Sequence, residues 1–374
     1  MTDSTVHALA TVTAPADFGT RGLPRATKPK SAAFWDNYDN DTLIYDCFGI
    51  GSRGIVRLTM PKLLGFKKRL LSADFTINGQ QIRRKKLKQN LKHDVLDLYV
   101  DSPAGDITIT SGSTLLHVPV RLSDPARYAG CNVLYTQIKN DDLQWVYDWG
   151  CAHQRNHGVD AILVTNNGST AYTSEALRQV LASIPNLKVA DVLDAPLSHG
   201  AHHQNGAGTG ATKFLQPALL NLTRDRFFEQ ARAVLVCDVD ELVQPAGTES
   251  IFDATVASQL KYKSFQGVWR YAQTSDAPVR HADHIWAKPE GTKCASKYCI
   301  VPNSLFGRMT WGVHSLEAIN RHIFRPSNRF QFFHCRQIST SWKSDRSAKG
   351  QTDMAVDPKT QDFMSATFPP EVEL

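Results

Sequence analysis

The segment Asp238-Val239-Asp240-Glu241 follows directly on the apolar run Ala233-Val234-Leu235-Val236-Cys237. Such a run reads as a strand buried on both faces, and open α/β sheets bind ligands beyond the carboxyl ends of their strands. Side chains at i and i+2 of an extended chain project to the same side, so Asp238 and Asp240 can approach one hard cation together. Two carboxylates suit Mg²⁺ or Mn²⁺, which keep open positions for phosphate oxygens and neutralise charge building on a leaving diphosphate. The competing reading is an acidic helix start, in which Asp240 and Glu241 complement the dipole.

Cys294, Cys299 and Cys335, with His314 or His334, offer a second set of metal-binding residue types. The interval from Cys294 to Cys299 is wider than a zinc knuckle and no second close pair follows, so ordinary buried or free thiols are expected. Seven cysteines, an odd number without an export signal, predict reduced thiols. A phosphate-cradling Gly-x4-Gly-Lys-Ser/Thr loop is absent from the sequence.

The elements that must position these residues change character at Asp124-Pro125. Upstream, short β-type runs at 42–48, 55–59, 74–77, 95–100, 107–110 and 114–120 are broken by turn signals such as Asn78-Gly79. Downstream, strands expected at 132–136, 161–165, 188–193 and 233–237 alternate with helices at 141–156, 174–183 and 214–231. The expected fold class is α/β, a mixed sheet flanked by helices with an N-terminal β-rich accessory region. The expected divisions are a flexible leader over 1–30, a β-rich domain over 31–125, an α/β domain over 126–346 and a disordered polar tail over 347–374.

With 374 residues, 42% apolar and 21% charged, the chain has the composition of a globular protein. No stretch approaches the roughly 18 uninterrupted apolar residues of a membrane span. The leader lacks an apolar run behind a basic start, so a cytoplasmic location is expected, with contact at the inner membrane face as an addition. That addition comes from charge. Between Arg53 and Lys92 stand twelve Lys or Arg residues, including Arg83-Arg84-Lys85-Lys86, against the single acid Asp74, within a net charge of +6. Such a segment can attract an anionic membrane, a phosphate-bearing acceptor or nucleic acid, the last being the least expected partner; the bland alternative is a solvated basic face.

The order of further motifs resembles a known family. Lys139-Asn140, a helix with Trp145 and Trp149, Gly158-Val159-Asp160, the run Ile162 through Asn167 to Thr170, and Cys237-Asp238-Val239-Asp240-Glu241-Leu242 are similar to bacterial glycosyltransferases of the family 2 type. They also resemble family 92 relatives, whose pattern is K-N-E, a Trp- and His-bearing helix, G-V-D, D-N-x-S and D-V-D-E-F. Val268-Trp269-Arg270-Tyr271, Lys297 to Pro302, Trp311 to His314, Phe332-Phe333-His334 and Trp342-Lys343 continue the likeness, which covers about residues 132–346. Departures are Asp141 in place of Glu and Asn166-Asn167 in place of Asp-Asn.

The resemblance implies a GT-A fold and transfer of a sugar from a nucleotide-diphosphate donor to a glycan or glycolipid acceptor, in surface polysaccharide assembly. It implies that Thr136, Lys139, Asn140, Asn166, Asn167 and Lys297 meet the donor, beside Asp238. It also implies that His334 completes a Mn²⁺ or Mg²⁺ site with Asp238 and Asp240. For Lys139 the rival reading is a surface lysine, for Asn166-Asn167 a turn, and for His334 a core histidine. The base that would take the acceptor proton is open among Asp283, His284, His314 and Glu317, with Asp283 and His314 carried forward. Two other readings stand beside this one: a metal-dependent nucleotidyl or phosphoryl transferase, and a non-catalytic module that binds polyanions or membranes through the basic run.

Overall fold

The computed structural model describes residues 2–23, 31–201, 212–273, 278–317, 319, 324–338 and 353–369. It divides into two compact units, one of Met1–His7, Ala126–Pro196 and Gln230–Leu374, the other of Ala8–Pro125 and Leu197–Glu229.

The first unit is a mixed α/β sheet flanked by helices, as expected. Its strands are β1 (Val6–Ala8), β2 (Asn132–Ile138), β3 (Ala161–Asn166), β4 (Val189–Asp194), β5 (Ala233–Val236), β6 (Glu241–Val243), β7 (Tyr262–Arg270), β8 (Lys293–Ile300) and β9 (Ser327–Cys335). They lie in the order β1-β4-β3-β2-β5-β8-β7-β9-β6. β2 pairs in parallel with β3 and β5, and β3 with β4. Direction reverses where β8 joins β5 antiparallel. Every residue of β3 and β5 is buried, which is why these runs are apolar without alternation.

Local chemistry starts and stops the helices. α1 (Leu143–His157) opens on Asp142, whose carboxylate accepts from the Gln144 N–H, and ends at Gly158 with φ of +65°, a left-handed conformation suited to glycine. Thr173 caps α2 (Ser174–Ala182), Ser250 caps α3 (Ile251–Ala257), and Asp357 caps α4 (Pro358–Thr367), which has proline in its first turn. Leu134, Trp149, Ile162, Leu177, Leu235, Phe252 and Phe332 belong to the core cluster formed around this sheet.

Two expectations are corrected in this unit. The leader is not wholly flexible: β1 forms the sheet edge beside β4, and Asp3 and Thr5 bond to the same strand. The cause is Asp191 on β4, a fully buried carboxylate that needs donors. It receives two from Arg127 at 2.6 and 2.8 Å, one from the Tyr128 hydroxyl at 2.7 Å and one from the Thr5 N–H at 2.8 Å. The tail is likewise partly built, because 358–367 form α4, with Met364 buried and Asp357 paired to Arg270 at 2.6 Å. Residues 339–352, with Trp342-Lys343, and 24–30 and 202–211 lie outside the described residues.

The second unit is β-rich, as expected. A five-stranded sheet runs Arg121–Leu122, Asp46–Ile50, Ile55–Pro61, His93–Tyr99, Lys85–Gln89, and a four-stranded one runs Thr114–Pro119, Asp106–Ser111, Asp74–Ile77, Gln80–Gln81. Its first segment ends at Pro125, but the unit begins at Ala8 rather than at 31 and also includes Leu197–Glu229. The helix expected over 214–231 is an α-helix only over Leu215–Thr223 and continues as a π-helical stretch, Arg224–Phe228. That stretch presents Asp225 to Arg57 at 2.6 Å and Arg226 to the buried Asp46 at 2.9 Å.

Three buried histidines tie the first unit together as neutral rings. His153 contacts the Trp149 carbonyl through Nδ1 and accepts the Val243 N–H at Nε2. His157 contacts the Val243 carbonyl through Nε2 and accepts the Ile251 N–H at Nδ1. His284 contacts the Arg280 carbonyl through Nδ1 and accepts the Gln337 N–H at Nε2. Each ring serves as one donor and one acceptor, so a second proton would face an N–H. Burial therefore pushes them down, to about 3 for His153, about 4 for His157 and about 3 for His284. A depressed histidine makes the unfolded chain bind more protons below its ordinary value. The contribution of these three rings to stability should thus be full above about pH 6.5 and fall as pH drops towards 4, by roughly 1.4 kcal/mol per pH unit for each ring. Denaturant melts across that range, with His157→Gln flattening the slope, check it; a flat profile in the parent chain would contradict these tautomers.

Candidate functional site

The end of β5 carries a turn that closes on itself. The Glu241 N–H donates to the Asp238 carbonyl at 3.0 Å, and the Asp238 N–H donates to the Glu241 carboxylate at 2.9 Å. Glu241 then opens β6, directly opposite His334 on β9, and the Cys335 N–H donates to the Asp240 carbonyl at 2.7 Å. Three carboxylates are thereby crowded at the carboxyl end of the central parallel strand, where a ligand site is expected.

Two cations from the antiparallel strands meet them. Lys297 on β8 is fully buried, with its Nζ 2.7 Å from Asp238 Oδ2 and 3.2 Å from Glu241 Oε2. Burial would lower Lys297, but the Asp238 and Glu241 carboxylates hold it well above the usual lysine range. Glu241 is pushed upward by burial, against the pull of Lys297. His334 Nε2 lies 2.9 Å from Asp240 Oδ2, and its Nδ1 lies 3.9 Å from Glu241 Oε1. Burial would lower His334, yet the Asp240 carboxylate outweighs it and raises the ring to about 10.

The imidazole is also held from its flat side. Trp269 on β7 stacks on His334 with ring centroids 3.8 Å apart and planes 21° from parallel, and the Arg336 guanidinium lies 5.7 Å from the Trp269 ring. One face of the Trp269 ring is thus occupied by the histidine.

One ligand atom from each of Asp240, Glu241 and His334 lies within 4.8 Å of the others. Two carboxylates and one imidazole are a donor set suited to Mn²⁺. The set differs from the expected Asp238, Asp240 and His334 by one member. Glu241 enters because β6 sets it opposite His334, and Asp238 turns one oxygen to Lys297.

The other expected residues have these places. Thr136 is buried on β2, on the strand face it shares with Leu134 and Ile138, and its hydroxyl has no hydrogen-bond partner. Lys139 is exposed. Asn140, at φ of +59°, accepts the Thr170 and Ala171 N–H groups at 2.6 and 3.0 Å. Asn166 accepts from the Ser169 N–H and donates to the Ser174 hydroxyl, and Asn167 donates to the Ala195 carbonyl at 2.8 Å. Asn140 and Asn166 hold the loop that joins β3 to α2, whereas Asn167 ties that loop to Ala195 beyond β4. Asp283 is exposed and accepts the Arg280 N–H at 2.7 Å, closing a turn, while His314 is half-buried with its carbonyl on the Ser296 hydroxyl. Of the cysteines, Cys294 reaches His334 as a hydrogen-bond partner, whereas Cys299 and Cys335 are buried, and all seven are free thiols.

Beyond the ends of β2 and β3 lies a cavity of about 430 Å³ lined by Asn140, Asp141, Asp142, Leu143, Trp145, Ala171 and Tyr172. It is physically joined to the carboxylate turn. The Trp145 indole N–H donates to the Val279 carbonyl at 2.8 Å, Arg280 forms a two-point ion pair with Asp148 of α1, and His281 Nε2 bonds the Val239 carbonyl at 2.8 Å. Val239 is the residue between Asp238 and Asp240.

No protein-family model and no curated protein matches this chain.

Lys297→Met keeps the bulk of the side chain and removes the charge. The buried Glu241 and the half-open Asp238 would then repel without compensation, so a loss of about 2 to 4 kcal/mol is expected, partly recovered on adding Mn²⁺. Thermal melts with and without the ion read this directly, and a variant as stable as the parent would show that Lys297 is not the counter-ion.

Proposed function

We propose that the chain is a metal-dependent glycosyltransferase of GT-A type, moving a sugar from a nucleotide-diphosphate donor to a glycan or glycolipid hydroxyl. The observation that carries this reading is the donor set of Asp240, Glu241 and His334 at the carboxyl end of β5, joined through Val239 and the 279–281 segment to the aromatic cavity at the ends of β2 and β3. In this reading Asp240, Glu241 and His334 would hold Mn²⁺ or Mg²⁺. The base and ribose occupy the cavity, where Trp145 and Tyr172 offer flat faces. When bound, the ion supplies charge neutralisation for the leaving diphosphate.

The chain's own residues divide the remaining work. Lys297 holds Asp238 and Glu241 in place and offsets their charge, and Trp269 fixes the plane of His334. Asp238 keeps exposed surface and is the carboxylate left to face the donor sugar. Asp283 and His314 are the candidate groups for the acceptor proton.

A panel of UDP, GDP and CMP nucleotides and their sugars, measured by thermal shift with and without Mn²⁺, tests the reading. One base series should raise the melting temperature only with the ion, because a ligand that binds the folded state alone stabilises it. Asp240→Asn should abolish that shift, measured against the variant's own ligand-free melting temperature, which should itself fall because His334 loses its carboxylate partner. A metal-dependent shift with nucleoside triphosphates but none with sugar nucleotides would favour nucleotidyl or phosphoryl transfer instead.

No helix among the described residues is long and apolar enough to cross a membrane. We propose a cytoplasmic protein that touches an anionic membrane through the edge strand Lys85–Gln89. Much of the basic run is spent internally: Arg57 pairs with Asp97 and Asp225, Lys62 with Asp94, Arg69 with Asp17, and Lys85 donates to the Leu71 and Ala73 carbonyls. Lys86 and Lys88 are exposed on one face of that strand, with Arg83 and Arg84 exposed just before it. Replacing these four with Gln, and sparing Lys85, should weaken binding to phosphatidylserine vesicles and remove most of its salt dependence. Wild-type protein that ignores such vesicles at low salt would leave the row only a guard against edge pairing.

A further inference from the structure

Beside the start of β7 is a second cavity, of about 850 Å³. Its position follows from register. Tyr262, the first residue of β7, pairs with Ile300 of β8, which pairs with Val234 near the start of β5, whereas Trp269 near the end of β7 pairs with His334. The start of β7 is therefore level with the body of β5, Tyr262 with Val234 and Ser264 with Val236, and none of the cavity's lining residues belongs to the carboxylate turn.

The chemistry of the wall is one-sided. Lys263, Arg325 and Arg329 line it, and none of its lining residues is acidic, although the chain as a whole has 36 acids to 42 Lys and Arg. Among the described residues, Lys263 and Arg325 have no acidic partner within ion-pair distance, while Arg329 is held by Glu249 at 2.6 Å. Buried Ser264 and Tyr262 add polar wall, and Phe324 adds a flat apolar surface. Two uncompensated cations beside polar groups and an aromatic ring suit an oxyanion carried on a sugar-sized body.

We propose that this cavity is a second ligand site, which binds a saccharide bearing a phosphate or carboxylate group through Lys263 and Arg325. The ion pair with Glu249 fixes Arg329 as the rim of the site. The sugar lies against Phe324, and its oxyanion meets the two unpaired cations. The site is independent of the carboxylate turn, so it stands whether or not that turn holds a metal.

Isothermal titration at low salt with glucose 1-phosphate, glucuronate and uncharged glucose tests the proposal. Saturable binding of either charged sugar, with none for glucose, is expected, and the stronger of the two identifies the oxyanion. Lys263→Gln with Arg325→Gln should weaken it by roughly tenfold or more, whereas Lys263→Arg with Arg325→Lys should retain it and Asp240→Asn should leave it unchanged. Thermal melts of the doubly substituted proteins establish that they are folded. Absence of saturable binding, or equal affinity in the parent and the Gln double variant, overturns the assignment, as does loss of binding in Asp240→Asn, which would move the ligand to the carboxylate turn.

Discussion

A fully buried ammonium cannot stand alone in a protein core, and Lys297 is such a group. Its partners have to be carboxylates, they have to arrive together, and they have to be held. The turn after β5 meets all three demands at once: Asp238 and Glu241 face Lys297, and one backbone bond and one bond from the Asp238 N–H to the Glu241 carboxylate keep them at a fixed spacing. The sheet's change of direction follows from the same need. β8 must run antiparallel beside β5 for Lys297 to reach past the strand end, since Val236 pairs with Tyr298 and Lys297 is the next residue along. A second cation then clamps the third carboxylate, with His334 on Asp240. The acidic motif is thus a structural knot before it is a ligand site, and a metal on Asp240, Glu241 and His334 would bind to residues already arranged by internal charge.

The β-rich unit uses its charges in the same manner on a different scaffold. Arg57 is bound by Asp97 on the neighbouring strand at 2.6 and 2.7 Å and by Asp225 from the π-helical stretch at 2.6 Å. Burial works against the Asp225 charge, but Arg224 and Arg57 hold it well below the ordinary carboxylate range. Arg226 reaches the Ala8 and Leu122 carbonyls as well as Asp46. Breaking such buried pairs costs more than forming them gains, so they select one arrangement of 215–228 against the sheet of their own unit rather than adding much stability. This is also why a simple charge count overstates the surface field.

Sequence patterning carried most of the first unit because its strands β2 to β5 are continuous apolar runs and its helices have readable caps. It failed where long-range pairing decides. β1 and α4 lack a strong periodic pattern, and their order comes from Asp191 and Arg270, partners that are remote in sequence. The helix over 214–231 was legible as a helix but not as a break into a π-helical stretch, since nothing local announces that Asp225 must meet Arg57. Within the site, Asp240 and His334 were legible by motif and order. Glu241 was not, because its role depends on standing opposite His334 across a strand pair. Asn166 shows the reverse case, in which a turn bond of the kind its residue type favours, from the Ser169 N–H, is present.

What brings Trp269, Cys294 and His334 to one place is a residue with no side chain. β7 carries a register irregularity between Phe265 and Gly267 against β8, and another between Phe265 and Gln266 against β9. A Cβ on Gly267 would lie 2.2 Å from the Phe332 ring and 2.3 Å from the Cys294 sulfur, separations no real atoms tolerate. Both neighbours belong to the immediate surroundings of His334, Phe332 two residues before it on β9 and Cys294 as its hydrogen-bond partner on β8. Glycine therefore lets the two flanking strands close over β7, and the same shift of register sets Trp269 opposite His334, face to face. The imidazole plane is fixed by packing on three strands before any ligand is considered, so the geometry of the carboxylate turn depends on a glycine that carries no chemistry of its own.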